Sequence, residues 1–153
     1  MDNLILSRIM PTLKQSLLRE LCDRLLHEGI EIKGAKGIEG YESPVSVAND
    51  GYGSGTPPHP DLLGFDPSGR RVIFGLVRES RETLDSEKSL EEYNVFLDHN
   101  ASMGEQASVV YVIMPAELVN DFTEIVTHYI HRNYWHRIIA VPALLPPEAG
   151  GVN

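Results

Sequence analysis

Cysteine is nearly absent from this chain: Cys22 is the only one among 153 residues. A single thiol forms no internal disulfide and supplies no cysteine-based zinc site, so the fold must rest on an apolar core. That usage fits a reducing cytoplasm, where the expectation places the protein. Cys22 lies among leucines at helical spacing, the setting of a buried, inert thiol. Basic residues are scarce too. Thirteen Lys and Arg stand against 22 Asp and Glu, a net charge of −9 with a pI near 5.0. This removes the broad cationic surface on which non-specific nucleic-acid affinity depends, so nucleic acid would need a local basic groove. Long apolar runs are missing as well. Nothing approaches the ~20 residues of a membrane helix, and Met1 to Met10 lacks the basic start and apolar centre of a secretion signal. The chain reads as soluble, unsecreted and without a membrane partner. No internal repeat is present, and no Gly-Lys-Ser/Thr follows the glycines to make a phosphate loop.

With 42% hydrophobic and 23% charged residues, residues 1–145 suit one domain with a real core, followed by a disordered Pro- and Gly-containing tail at 146–153. From Pro11 to Glu28, Leu13, Leu17, Leu18, Leu21, Leu25 and Leu26 recur at helical intervals, Gly29 is a stop, and Glu20 and Arg24 have ion-pair spacing. Ile30 to Ile38 alternates like a half-exposed strand. Residues 40–58 turn rich in Gly, Ser, Pro, Asn and Asp, a long mobile loop.

The stretch from His59 to Glu79 organises the rest. Leu62 to Phe65 is one apolar run and Val72 to Val77 a second, the latter β-branched and aromatic enough for a central strand buried on both faces. Between them Asp66-Pro67-Ser68-Gly69 is a turn, with Asp bonding its own backbone and Gly accepting positive φ. Asp85-Ser86-Glu87 then caps a helix carrying Leu90, Tyr93, Phe96 and Leu97. Val109 to Met114 is a strand, Pro115 opens a helix with Leu118, Phe122, Ile125, Val126 and Tyr129 inside, and Arg137 to Val141 is a last strand. The fold class is α/β: one mixed sheet, an antiparallel meander followed by a parallel crossover, flanked by helices.

This element order, with Pro60-Asp61 opening the second strand and a charged residue closing the third, resembles the PD-(D/E)XK nuclease superfamily and its restriction-endonuclease-like fold. The resemblance spans roughly Leu13 to Met114. It implies that Asp61 and an acidic residue of the third strand bind Mg²⁺ or Mn²⁺. It further implies a lysine two residues on that orients or deprotonates water, and an assisting acid on the first helix, Glu20 or Asp23. Pro60 and Asp61 match the first half-motif. The second departs: its acidic position falls on Leu76 and its lysine on Arg78. Leucine offers a hard cation no oxygen, and arginine keeps its proton and is no general base. Glu79 lies on the opposite strand face from Leu76 and Arg78 unless the strand ends or bulges, and with Glu20 and Glu82 it is a candidate for a relocated carboxylate. The catalytic candidates are therefore Asp61, Arg78, Glu20 and Glu79, and the metal candidates Asp61 and Glu79.

His128 and His131, three apart and able to share a helix face, lack the neighbouring carboxylate of a zinc site. With His136, Tyr129, Tyr134, Trp135 and Arg137 they compose an aromatic surface of the kind enriched at interfaces. The expected function is an interaction module on a nuclease-like scaffold that has lost metal-dependent catalysis. It takes no cofactor, and its partner is a protein or a second copy. The alternative is a divergent Mg²⁺-dependent endonuclease hydrolysing DNA phosphodiesters, and a third reading is a small-ligand binder under the glycine loop.

Overall fold

Thr12 starts the first helix with a reciprocal cap. Gln15 N–H donates to Thr12 Oγ1 at 3.1 Å, and Thr12 N–H donates to Gln15 Oε1 at 3.0 Å, which satisfies two of the orphan donors of a helix start. Helix α1, Leu13–His27, ends where Gly29 takes φ +86°. Ile30 N–H then reaches back to the Leu25 carbonyl and Gly29 N–H to Leu26, the paired closure that favours glycine here. The computed structural model describes residues 11–47, 57–99, 101 and 103–144. The glycines at the heart of the 40–58 stretch and the tail from 145 lie outside the described residues, and with them the readings of a mobile loop and a disordered end.

Among the described residues, five strands form one sheet in the order β1-β2-β3-β4-β5. They are β1 Glu31–Ala35, β2 Leu62–Asp66, β3 Arg71–Val77, β4 Gln106–Met114 and β5 Ile138–Pro142. The first three pair antiparallel, and β3–β4 and β4–β5 pair parallel. Helix α2, Glu87–Leu97, connects β3 to β4, and α3, Val119–Tyr129, connects β4 to β5. The expected α/β class with a single mixed sheet flanked by helices is therefore the observed architecture.

Alternation along the central strand builds two cores. Ile73 and Val77 pack with Leu17, Leu18, Leu21 and Leu25 of α1, while Phe74 and Leu76 pack with Tyr93 and Phe96 of α2 and Phe122 and Ile125 of α3, as the period of two dictates. Gly75 sits where α1 presses closest. A Cβ there would lie 2.8 Å from Leu62 Cβ and 2.9 Å from Leu21 Cδ2.

Several local expectations shift. In the β2–β3 hairpin the positive φ falls on Arg70 at +53°, not on Gly69, although Asp66 bonds Ser68 N–H as read. Leu26 is 47% exposed, because it stands about 100° round the helix from buried Leu25. Pro115 precedes a 3-10 turn, Ala116–Leu118, so α3 begins later, and Tyr129 at its last turn is 51% exposed. Arg137 closes a further 3-10 segment, Arg132–Arg137, instead of opening the strand. Its guanidinium donates to the Leu97 and Ser108 carbonyls at 3.0 and 2.7 Å, clamping the end of α2 to β4, a role suited to a cation at a helix C-terminus.

Candidate functional site

A cleft of about 1120 Å³ opens where β3 ends and β2 begins, walled by the first turns of α1 and α2. Its position follows from the topology. Past Gly75, β3 loses its partner β2, and the chain leaves through Arg78 to Thr83 before α2 starts at the cap residue Ser86. Asp61, Arg78 and Glu79 all line it, together with Lys14, Lys36, His59, Leu76, Glu87, Glu91 and Glu92.

Asp61 is 6% exposed and is tied into the sheet on three sides. Its N–H donates to the Gly75 carbonyl at 3.0 Å, and its own carbonyl accepts from Lys36 N–H at 2.9 Å. Its carboxylate Oδ2 accepts from Val77 N–H at 2.9 Å. That donor has no β2 backbone to pair with, because β2 starts only at Leu62, so the Asp61 side chain completes the ladder in place of a strand residue. The other oxygen, Oδ1, lies 3.4 Å from Lys14 Nζ.

Arg78 turns toward α2 and is 7% exposed. Its Nη2 donates to Glu92 Oε1 at 2.7 Å, its Nε to the Tyr93 hydroxyl at 3.0 Å and its Nη1 to the Val77 carbonyl at 3.2 Å. The guanidinium carbon lies 5.1 Å from the Tyr93 ring centroid, and Tyr93 passes its own proton to the Leu84 carbonyl at 2.8 Å. Burial alone pushes Arg78 down, but the Tyr93 and Glu92 oxygens outweigh it and hold the guanidinium above its ordinary range, the pattern of a buried ion with its partners in place.

The remaining candidates do not join these two. Glu79 is exposed on the cleft wall. Glu20 stays outside the cleft: its carboxylate holds Arg24 at 3.0 Å and accepts from Leu144 N–H at 2.7 Å. Six residues separate it from Lys14, roughly 9 Å along the helix axis, which puts it over the end of β5 instead. Asp23 and Glu82 are exposed and likewise outside the lining. Leu76, at 1% exposure, is packed into the α2–α3 core.

A divalent ion does not fit this donor set. Mg²⁺ needs near-octahedral oxygen ligation, usually from more than one carboxylate. Asp61 has one oxygen committed to a backbone donor and the other facing an ammonium. Among the described residues no group of three or more His, Cys, Asp and Glu converges. His128 and His131 also part company, since α3 ends at Tyr129 and His131 caps the following 3-10 segment, its ring accepting from Asn133 N–H.

Lys14, Glu92 and Tyr93 were missed as site residues. Glu92 carried a readable signal: it shares a helix face with Ser89 and Phe96, and a carboxylate on a buried face pairs with a cation or stays out of the core. Lys14 carried none. No protein-family model, curated protein or solved structure matches this chain.

Proposed function

We propose that this chain is a divergent relative of the PD-(D/E)XK nucleases that has lost metal-dependent hydrolysis and serves as an interaction module. The observation that carries the reading is the locked Arg78–Glu92–Tyr93 network. Where the resemblance calls for a lysine free to act on water, an arginine is bound by three acceptors, and beside it Leu76 replaces the second ligand with core packing. The acidic surface supports a protein partner over nucleic acid, and the exposed rings of Tyr129 and Trp135 supply the kind of anchor that interfaces use.

The test pairs two measurements. Supercoiled and branched DNA are incubated with the protein and Mn²⁺, and Mn²⁺ binding is followed by titration calorimetry in wild type and Asp61→Asn. The expected result is no nicking and no binding in either protein. Cleavage or binding that Asp61→Asn abolishes would overturn the reading and restore a rearranged nuclease site around Asp61 and Glu79. The interaction role is tested by co-purification with wild type against Trp135→Ala. Partners retained by wild type and lost from the variant are expected, and identical retention would remove the aromatic surface from the proposal.

A further inference from the structure

We infer that Lys14 is a built-in cation that holds the position beside Asp61 where a divalent ion would have to sit, making the cleft metal-excluding. This rests on the reading of a non-catalytic cleft and names the group that closes it. Each of the two Asp61 carboxylate oxygens has a donor against it: Oδ2 accepts from Val77 N–H, and Oδ1 faces Lys14 Nζ at 3.4 Å. A magnesium–oxygen bond is about 2.1 Å, so an ion on Oδ1 would lie no more than about 5.5 Å from the ammonium, on whichever side it bound, and be repelled by it. With the Asp61 side chain only 9% exposed, the open approach to it is from the cleft that Lys14 itself lines.

Lys14 is well placed for this. Its backbone lies in the first turn of α1, which the Thr12–Gln15 cap and the buried Leu17 and Leu18 fix against the sheet, and its side chain, 44% exposed, reaches along the cleft to Asp61. An ammonium is a compact charge with no coordination geometry to satisfy, so it neutralises a single carboxylate where Mg²⁺ would need more ligands. The other cleft carboxylates do not compensate: Glu92 is bound by Arg78, Glu79 and Glu87 are exposed, Glu91 is half-buried, and among the described residues no three acidic, histidine or cysteine side chains converge.

The test uses Mn²⁺ alone, titrated into the full chain and followed by the electron paramagnetic resonance signal of free Mn²⁺, with a thermal melt of every variant. The proteins are wild type, Lys14→Met, Lys14→Glu, and each combined with Asp61→Asn. Wild type is expected to leave Mn²⁺ free. Lys14→Met keeps the apolar stem and gains weak binding, and Lys14→Glu, which adds a carboxylate beside Asp61, gains about tenfold more, as ligand charge count predicts. Asp61→Asn removes both gains. If both Lys14 variants melt cooperatively and leave Mn²⁺ as free as wild type does, Lys14 is not the excluding group and the inference is overturned. If wild type itself binds Mn²⁺ and Asp61→Asn abolishes it, the underlying reading of a non-catalytic cleft fails instead.

Discussion

Removing Glu92 alone strands a cation in the protein interior. Arg78 and Glu92 are 7% and 8% exposed and meet at 2.7 Å, and breaking such a pair from one side costs about 3–5 kcal/mol. In Glu92→Leu the guanidinium keeps two neutral acceptors, the Tyr93 hydroxyl and the Val77 carbonyl, which places the cost near the lower end, about 3 kcal/mol. Against a total stability of roughly 5–15 kcal/mol this is a large loss, worth about 6–12 °C in melting temperature for a chain this size. Arg78→Met is expected to cost a similar amount by stranding the carboxylate. The double variant, which removes both charges and keeps apolar volume, should recover most of the loss, with a coupling of at least ~2 kcal/mol. Urea denaturation followed by far-UV circular dichroism and by the fluorescence of Trp135, the one tryptophan, measures all four corners of the cycle. Single variants costing under ~1 kcal/mol, or effects that simply add, would refute the buried pair as the organising contact of the cleft wall.

Gly75→Ala puts a Cβ 2.8 Å from Leu62 Cβ and 2.9 Å from Leu21 Cδ2, so it should destabilise by about 1–3 kcal/mol in the same urea assay. A neutral result would mean that α1 is not pressed onto β2 and β3. Burial, reinforced by the neighbouring Asp23 carboxylate, pushes the Cys22 thiol from 9.0 up to about 11. The raised value favours the protonated form in the folded state, so this contribution is complete below pH 9 and is lost as pH rises through about 11. A shift of that size lowers the thiolate fraction at pH 8 roughly a hundredfold. Thiol labelling at pH 8 should accordingly be at least that much slower in native protein than in urea, and equal rates would contradict the burial. Burial nudges Asp66 up, but the Ser68 hydroxyl and the Gly69 and Ser68 N–H groups outweigh it and hold the carboxyl below 3.8. A depressed carboxyl stabilises above its unfolded value and loses that contribution as pH falls below 3.8. The melting-temperature difference between wild type and Asp66→Asn should thus shrink as acid is added, and a constant difference would refute the assignment.

Much of the architecture was legible in the chain because it depends on local periodicity. The leucine spacing of α1, the unbroken apolar run of β3 and the Ser86 cap are properties of neighbouring residues, and each element formed where those properties put it. The misplaced features are those in which a distant residue intervenes. Arg137 reads as the start of a strand, yet the Leu97 and Ser108 carbonyls capture its guanidinium and hold it in a 3-10 turn. Tyr129 matches the apolar stripe of α3, but packing of the described residues leaves its ring half in solvent.

The candidate site divides along the same line. The departure at Leu76 and Arg78 was visible by counting, because strand alternation assigns each residue a face and the chemistry of a side chain is set by its type. What Asp61 and Arg78 do was not visible, since a side chain's partners depend on the sheet register and on which helix lands beside it. Pairing β2 to β3 in its observed register turns Asp61 from a potential ligand into the acceptor of Val77 N–H, and seating α1 and α2 on opposite faces delivers Lys14 to one charge and Glu92 to the other. The α/β class, the element order and the absence of a carboxylate at positions 76 and 78 follow from short-range pattern and residue type. How the charges pair follows from the packing of α1 and α2, because burial makes an unpaired ion costly and the fold supplies its partner.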